Sequence, residues 1–126
     1  MAIESVENDT PLVDEAALDE LRSIMEEEFV DVLQVFLEES VNLMSEIHTG
    51  FEEESENLTR AVHTLKSCSK NVGAMRLGGI AEKMEACLVK EDMAAAKTNL
   101  EELQDVFTQS HVLIKQCMQN DMHKVA

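Results

Sequence analysis

Apolar residues recur at alternating steps of four and three along most of this chain, and few helix breakers interrupt them. Phe29, Leu33, Phe36, Ser40, Leu43 and Ile47 form one such series. Ala96, Leu100, Leu103, Phe107, Ser110, Ile114 and Cys117 form another. This spacing lays a stripe along one face of an α-helix. Only four Gly and one Pro, Pro11, occur in 126 residues, so the punctuation that β-structure needs is scarce. The chain reads as all-α.

The stripes divide the sequence into segments. Residues 1–13 read as a flexible tail. Asp14 is a candidate N-cap, followed by Glu15 in the first turn and by Leu18, Leu21 and Met25 on one face of a short helix. The first long stripe follows, broadened by Val30, Leu37, Val41 and Met44 and ended by Thr49-Gly50. Residues 52–57 read as an acidic loop and helix start, with Ser55 as a candidate cap. A third helix over about 56–71 turns Leu58, Ala61, Leu65, Cys68 and Val72 inward. Gly73 can take the left-handed conformation that stops it. A fourth helix over about 74–89 directs Leu77, Ile80, Ala81, Met84 and Leu88 inward. Gly78-Gly79 inside it costs helix stability, which we read as tolerated so that a neighbouring helix can come close. Glu91-Asp92 make a turn and cap, the last helix covers about 93–118, and 119–126 read as a frayed end. Short connections make sequential helices antiparallel. The expected fold is one domain over 14–118, an up-down four-helix bundle with a short additional N-terminal helix.

Charge and motifs then exclude classes of function. A net charge of −16 argues against nucleic acid or an anionic membrane as partner. No apolar run approaches the roughly 20 residues of a membrane span, and residues 1–10 are polar and acidic, unlike a secretory leader. Cys68, Cys87 and Cys117 are odd in number and lack a C-x-x-C, so reduced, mostly buried thiols and a cytoplasmic location are expected. There is no Walker loop, G-x-G-x-x-G, H-E-x-x-H or Glu-x-x-His pair, so neither ATP nor a metal site is expected. The methionines fit adaptable packing. His48 and His111 flank stripes, and His123 lies in the tail.

His63 differs from the other histidines. It lies opposite the apolar stripe of its helix, with Arg60, Lys66, Ser67 and Lys70 as neighbours at offsets of three, four and seven. Between residues 60 and 83 stand Arg60, Lys66, Lys70, Arg76 and Lys83 against a single acid, Glu82, in a chain with 26 acids and ten basic residues. A local reversal of charge around an ionisable nucleophile suggests a site. A neutral imidazole is a good nucleophile near pH 7 and can hold a phosphoryl group. Lys66 and Lys70 can stabilise the incoming charge. Ser67 leaves room for a partner's backbone.

The stretch from Ala61 to Glu85 resembles the signature of histidine-containing phosphotransfer (HPt) domains, the relay modules of multistep two-component signalling. His63, Leu65, Lys66, Ser69, Val72, Gly73, Ala74, Leu77, Met84 and Glu85 match at the family's offsets. The five-helix layout is similar over about 14–118, though less specifically. The resemblance implies that His63 is phosphorylated through its outer ring nitrogen, that Lys66 is its electrostatic support and that Gly73 is the turn after the active helix. Where the family usually has Gly directly after the Lys, this chain has Ser67.

The expected role is a free-standing phosphocarrier without autonomous catalysis, passing a phosphoryl group between receiver domains of hybrid sensor kinases and response regulators. It would bind no cofactor, Mg²⁺ being brought by the receiver, and would be a monomer. Arg60, Ser67 and Arg76 are the expected docking surface. The rival is a non-phosphorylated acidic helical adaptor that binds a signalling protein through the same face.

Overall fold

A computed structural model of the chain describes residues 10–125, with side chains through Met122. The expected tail over residues 1–9 lies outside the described residues, as does Ala126. The elements are α1 (Glu15–Met25), a 3₁₀ turn (Glu26–Glu28), α2 (Phe29–Glu53), α3 (Leu58–Asn71), α4 (Met75–Val89), α5 (Met93–Thr98) and α6 (Leu100–Val125). The long helices α2, α3, α4 and α6 form a closed ring of neighbours, with α2 against α3, α3 against α4, α4 against α6 and α6 against α2. Side-chain pairs show that the neighbours run antiparallel. His48 and Gln104 meet between α2 and α6, as do His111 and the Leu37 carbonyl. The fold is an antiparallel four-helix bundle with a short N-terminal helix, as the stripes predict.

The core follows the stripes, with particular departures. Leu33, Ile47, Leu65, Leu77, Ile80, Met84, Leu103 and Ile114 are fully enclosed. Val41 instead faces solvent at 49% exposure, because the α2 stripe is narrower than its apolar content. On α3 the enclosed positions include Val62 and Ser69, while Cys68 sits half-buried at the stripe edge. Burial and the nearby Glu39 carboxylate push the Cys68 thiol above its usual range.

Several boundaries also differ from expectation. Gly50 does not end α2, which continues to Glu53. A Cβ at Gly50 would meet Leu58 at 3.0 Å, so this glycine admits the start of α3. The stop is Glu54, in the left-handed region at φ 52°. Ser55 does not cap α3; its hydroxyl accepts from the Asn57 N–H within the connecting turn. The expected last helix is two, parted at Asn99. Residues 119–125 do not fray but continue α6. Asp121, nearly buried, accepts from Arg22 at 3.0 and 3.1 Å, and Arg22 also lies 4.7 Å over the Phe29 ring. That pair fastens α1 to the end of the bundle. Residues 10–13 are not a free tail either, since Leu12 and Val13 pack against the core.

The turn between α3 and α4 takes only residues 72–74. Ala74 N–H donates to Ser69 O at 2.8 Å and Gly73 N–H to Lys70 O at 3.2 Å, the double closure of a Schellman motif. Gly73 supplies the required positive φ, 81°. Its carbonyl accepts from Asp14 N–H at 2.8 Å, while Asp14 caps α1 through Oδ1 to Ala16 and Ala17.

The two glycines of α4 have different surroundings. A Cβ at Gly78 would stand 2.7 Å from Lys70 Cγ and 3.4 Å from the Lys66 carbonyl, so Gly78 lets α3 approach as expected. A Cβ at Gly79 would meet nothing within 4 Å, so the close-approach reading is corrected there. Gly79→Ala should therefore stabilise the fold by about 0.5–1 kcal/mol, the usual advantage of Ala in a helix. Gly78→Ala should gain less or lose stability as Lys70 is displaced. Paired thermal melts check the difference, and equal gains would show that Gly78 carries no packing constraint.

Candidate functional site

α3 and α4 form a hairpin about the Gly73 turn, and the site lies along the groove between them. His63 projects from the outer face of α3 with its side chain 56% exposed. Its Nδ1 lies 2.6 Å from Glu85 Oε2. The other carboxylate oxygen, Glu85 Oε1, accepts from Lys66 Nζ at 2.6 Å. One turn earlier on α4, Glu82 Oε1 accepts from Lys70 Nζ at 2.6 Å. Gly78 completes the row, its missing side chain giving the Lys70 stem a place to lie.

The electrostatics follow from this row. The Lys66 ammonium holds the Glu85 carboxyl below the usual carboxylate range, with the His63 contact acting in the same direction. Lys70 does the same for Glu82. An ionised carboxylate accepts but cannot donate, so the proton in the His63–Glu85 contact belongs to Nδ1. The neutral ring then carries its lone pair on Nε2, away from Glu85. Glu85 thereby sets the tautomer and the orientation of an exposed imidazole.

The sequence brought some of these residues together correctly. His63, Lys66 and Lys70 share one face, and Arg60 and Ser67 are exposed as expected. Two expectations need correction. Lys66 and Lys70 are not a bare basic patch, because each is paired with a carboxylate of α4. Arg76 is not simply a docking residue: it is half-buried, and its Nε donates to the Thr10 carbonyl at 2.7 Å, anchoring the segment before α1. The sequence reading gave Glu85 no chemical role, although it belonged to the matched pattern. A signal was present, since His63 and Glu85 are equidistant from Ala74 and a tight antiparallel turn there sets them opposite each other.

The remaining histidines sit elsewhere. His48 is a boundary residue whose Nε2 lies 2.9 Å from Gln104 Oε1. His111 packs beside Phe107, ring centroids 5.1 Å apart, and its Nε2 lies 3.1 Å from the Leu37 carbonyl. His123 lies in α6, with its side chain outside the described residues. Among the described residues no group of three His, Cys, Asp or Glu side chains is placed to hold a metal ion, and no helix is long and apolar enough to cross a membrane.

Comparison with known proteins bears on the family and the fold. The structure of histidine-containing phosphotransfer protein B (HptB) from Pseudomonas aeruginosa PAO1 is similar with a TM-score of 0.82 and 25% identity, over 87% of this chain and 96% of that one. A rice protein assigned as a histidine-containing phosphotransfer protein is similar in fold, with a TM-score of 0.74 and 21% identity over 91% of this chain and 86% of that one. No curated protein matches significantly. The family model of the Hpt domain matches residues 31–119, which run from the first turn of α2 into α6 and contain His63, Lys66 and Glu85. A match over so much of the chain places it in the Hpt domain family, whose members serve histidine phosphotransfer in phosphorelays.

Proposed function

We propose that this chain accepts a phosphoryl group on His63 Nε2 from the phospho-aspartate of one receiver domain and passes it to the aspartate of another. The observation that carries the reading is the 2.6 Å contact between His63 Nδ1 and Glu85 Oε2, which gives the proton of the neutral ring to Nδ1 and its lone pair to Nε2. In the accepting step the Nε2 lone pair forms the N–P bond as the P–O bond to the donor aspartate breaks and that carboxylate leaves. The ring gains positive charge, which the ionised Glu85 offsets. Lys66 has three N–H donors, so it can hold Glu85 with one and meet the phosphoryl oxygens with another. Transfer to the second receiver reverses these bonds. The receiver would bring Mg²⁺, and this chain supplies the nucleophile, the charge and the surface. Half-buried thiols at Cys68, Cys87 and Cys117, none of them in a disulfide, fit a reducing, cytoplasmic setting.

His63→Gln should abolish label uptake from a phosphorylated receiver and change stability by no more than about 0.5 kcal/mol, as expected for an exposed position. Acid-labile, base-stable label and thermal melts read the two effects. Label of unchanged amount on the Gln variant would remove His63 from the role, whereas a parent chain that binds a receiver and never takes label would favour the adaptor reading.

Glu85 gives a second check. Its carboxyl is depressed chiefly by Lys66, so its stabilising contribution is fully present above the ordinary glutamate value of about 4.3. The contribution is lost as the pH falls through the lower folded value. Lys66→Met should move the Glu85 carboxyl midpoint, followed by NMR titration, up toward that ordinary value. Glu85→Gln should slow phosphoryl acceptance by about 10-fold, because the amide can still accept from Nδ1 but cannot balance the ring's positive charge. An unmoved midpoint or an unchanged rate would remove the corresponding link.

A further inference from the structure

Each of the two long apolar stripes is interrupted by a serine, Ser40 in α2 and Ser110 in α6, and the phosphoryl chemistry uses neither. Both are completely buried, as is Ser69 in α3. Antiparallel packing brings the three to one level of the bundle. Between α2 and α6, His48 meets Gln104 and the Leu37 carbonyl meets His111, which sets Ser40 opposite Ser110. Between α2 and α3, Gly50 abuts Leu58 and Glu39 lies near Cys68, which sets Ser40 beside Ser69. The Lys66–Glu85 and Lys70–Glu82 pairs bring α4 to the same level at Ile80 and Ala81, both enclosed. The neighbouring layers are apolar, with Leu43, Leu65 and Val106 toward one end and Phe36, Val72 and Ile114 toward the other.

A serine layer in such a core is short of hydrogen bonds. The Ser40 hydroxyl donates to the Leu37 carbonyl at 3.3 Å. The Ser69 and Ser110 hydroxyls have no hydrogen-bond partner among the described residues. A buried hydroxyl left unpaired is costly, and the great majority of buried polar groups are paired. Two orphans at one level of one core point to a ligand that they share. Serine also fills less space than the leucine, valine and isoleucine of the adjoining layers, so the bundle axis is least filled by side chains where the hydroxyls lie.

We propose that this layer is a binding site for one internal water molecule, which accepts from the Ser69 and Ser110 hydroxyls and donates to Ser40 Oγ. The chemistry of the layer selects the ligand. Among the described residues the one buried charged side chain, Asp121, lies at the α1 end with Arg22, so an ion would find no counter-charge here. Hydroxyls both donate and accept, and Ser40, which already donates to Leu37, has only acceptor capacity left. A neutral molecule that accepts twice and donates once satisfies all three. Buried waters typically make about three hydrogen bonds to polar groups of this kind. The site also bears on register. Sliding α2 against α6 would set one serine against an apolar layer and leave its hydroxyl without the water.

The test uses the full chain with its Ser69→Ala, Ser110→Ala and double variants. A high-resolution crystal structure of the parent should place one water oxygen about 2.5–3.0 Å from the Ser69 and Ser110 hydroxyls. Nuclear Overhauser contacts from that water to adjacent amides should be seen in the parent and lost in each single variant. Thermal melts separate a shared ligand from two independent serines. Removing one hydroxyl strands the other, so each single variant should lower Tm by about 2–5 °C. Removing both leaves neither orphan, so the double variant should melt above either single one. In the competing arrangement each hydroxyl turns onto a carbonyl of its own helix, that of Leu65 or Val106. The layer would then be dry, and the two Tm shifts would add in the double variant. Either a dry layer in the parent or additive shifts would overturn the site.

Discussion

The turn at Gly73 sets the register between α3 and α4, and the site depends on that register. A left-handed residue there closes α3 with two carbonyl contacts and reverses the chain within a few residues. Had the turn been one residue longer, Glu85 would have moved about 100° around its helix relative to His63. The contact that fixes the imidazole tautomer would then be lost. The same glycine carbonyl receives the Asp14 N–H, so the start of α1 is tied to the end of the helix that bears the histidine. Arg76 adds a second tie through the Thr10 carbonyl. The active helix is therefore held at its far end by elements remote from the chemistry.

Electrostatics refine this frame. Taken as a list of residues, the region around His63 is the one place where a chain of net charge −16 turns basic. In the folded molecule two of those cations face carboxylates across the groove. Exposed ion pairs contribute little to stability, particularly for the more open Lys70–Glu82 pair. Their consequence is geometric. Lysine has four rotatable side-chain bonds, and pairing with Glu85 orders Lys66 beside His63, which lowers the ordering cost of the phosphoryl contact proposed for it. Glu85 serves both neighbours, using one oxygen for the lysine and the other for the imidazole.

The arrangement also assigns different tasks to similar residues. Gly78 and Gly79 are adjacent, yet one is enclosed by Lys70 and the other faces open space. Gly73 takes a positive φ that suits glycine, while Glu26, Glu54 and Glu91 take the same sign of φ without that help. Gly50, Gly73 and Gly78 stand where backbone or side chain must come near, Gly79 does not, and the exposed turn ends tolerate glutamate.

The sequence by itself determined the fold class, the number of long helices and the face on which His63 lies. Those are consequences of periodicity, and periodicity is local: each residue's direction around its helix follows from its neighbours at three and four places. The resemblance over Ala61 to Glu85 also made the family legible before any coordinates. Only the tertiary structure decided what crosses between helices. It kept Gly50 inside α2 because Leu58 needs the space, and it turned Val41 outward. It carried α6 on to Val125, with Asp121 meeting Arg22 on α1. It paired Lys66 and Lys70 with acids and gave Glu85 its hold on His63. These contacts depend on the offset and rotation of one helix against another, which turns and packing fix jointly and no single stripe encodes.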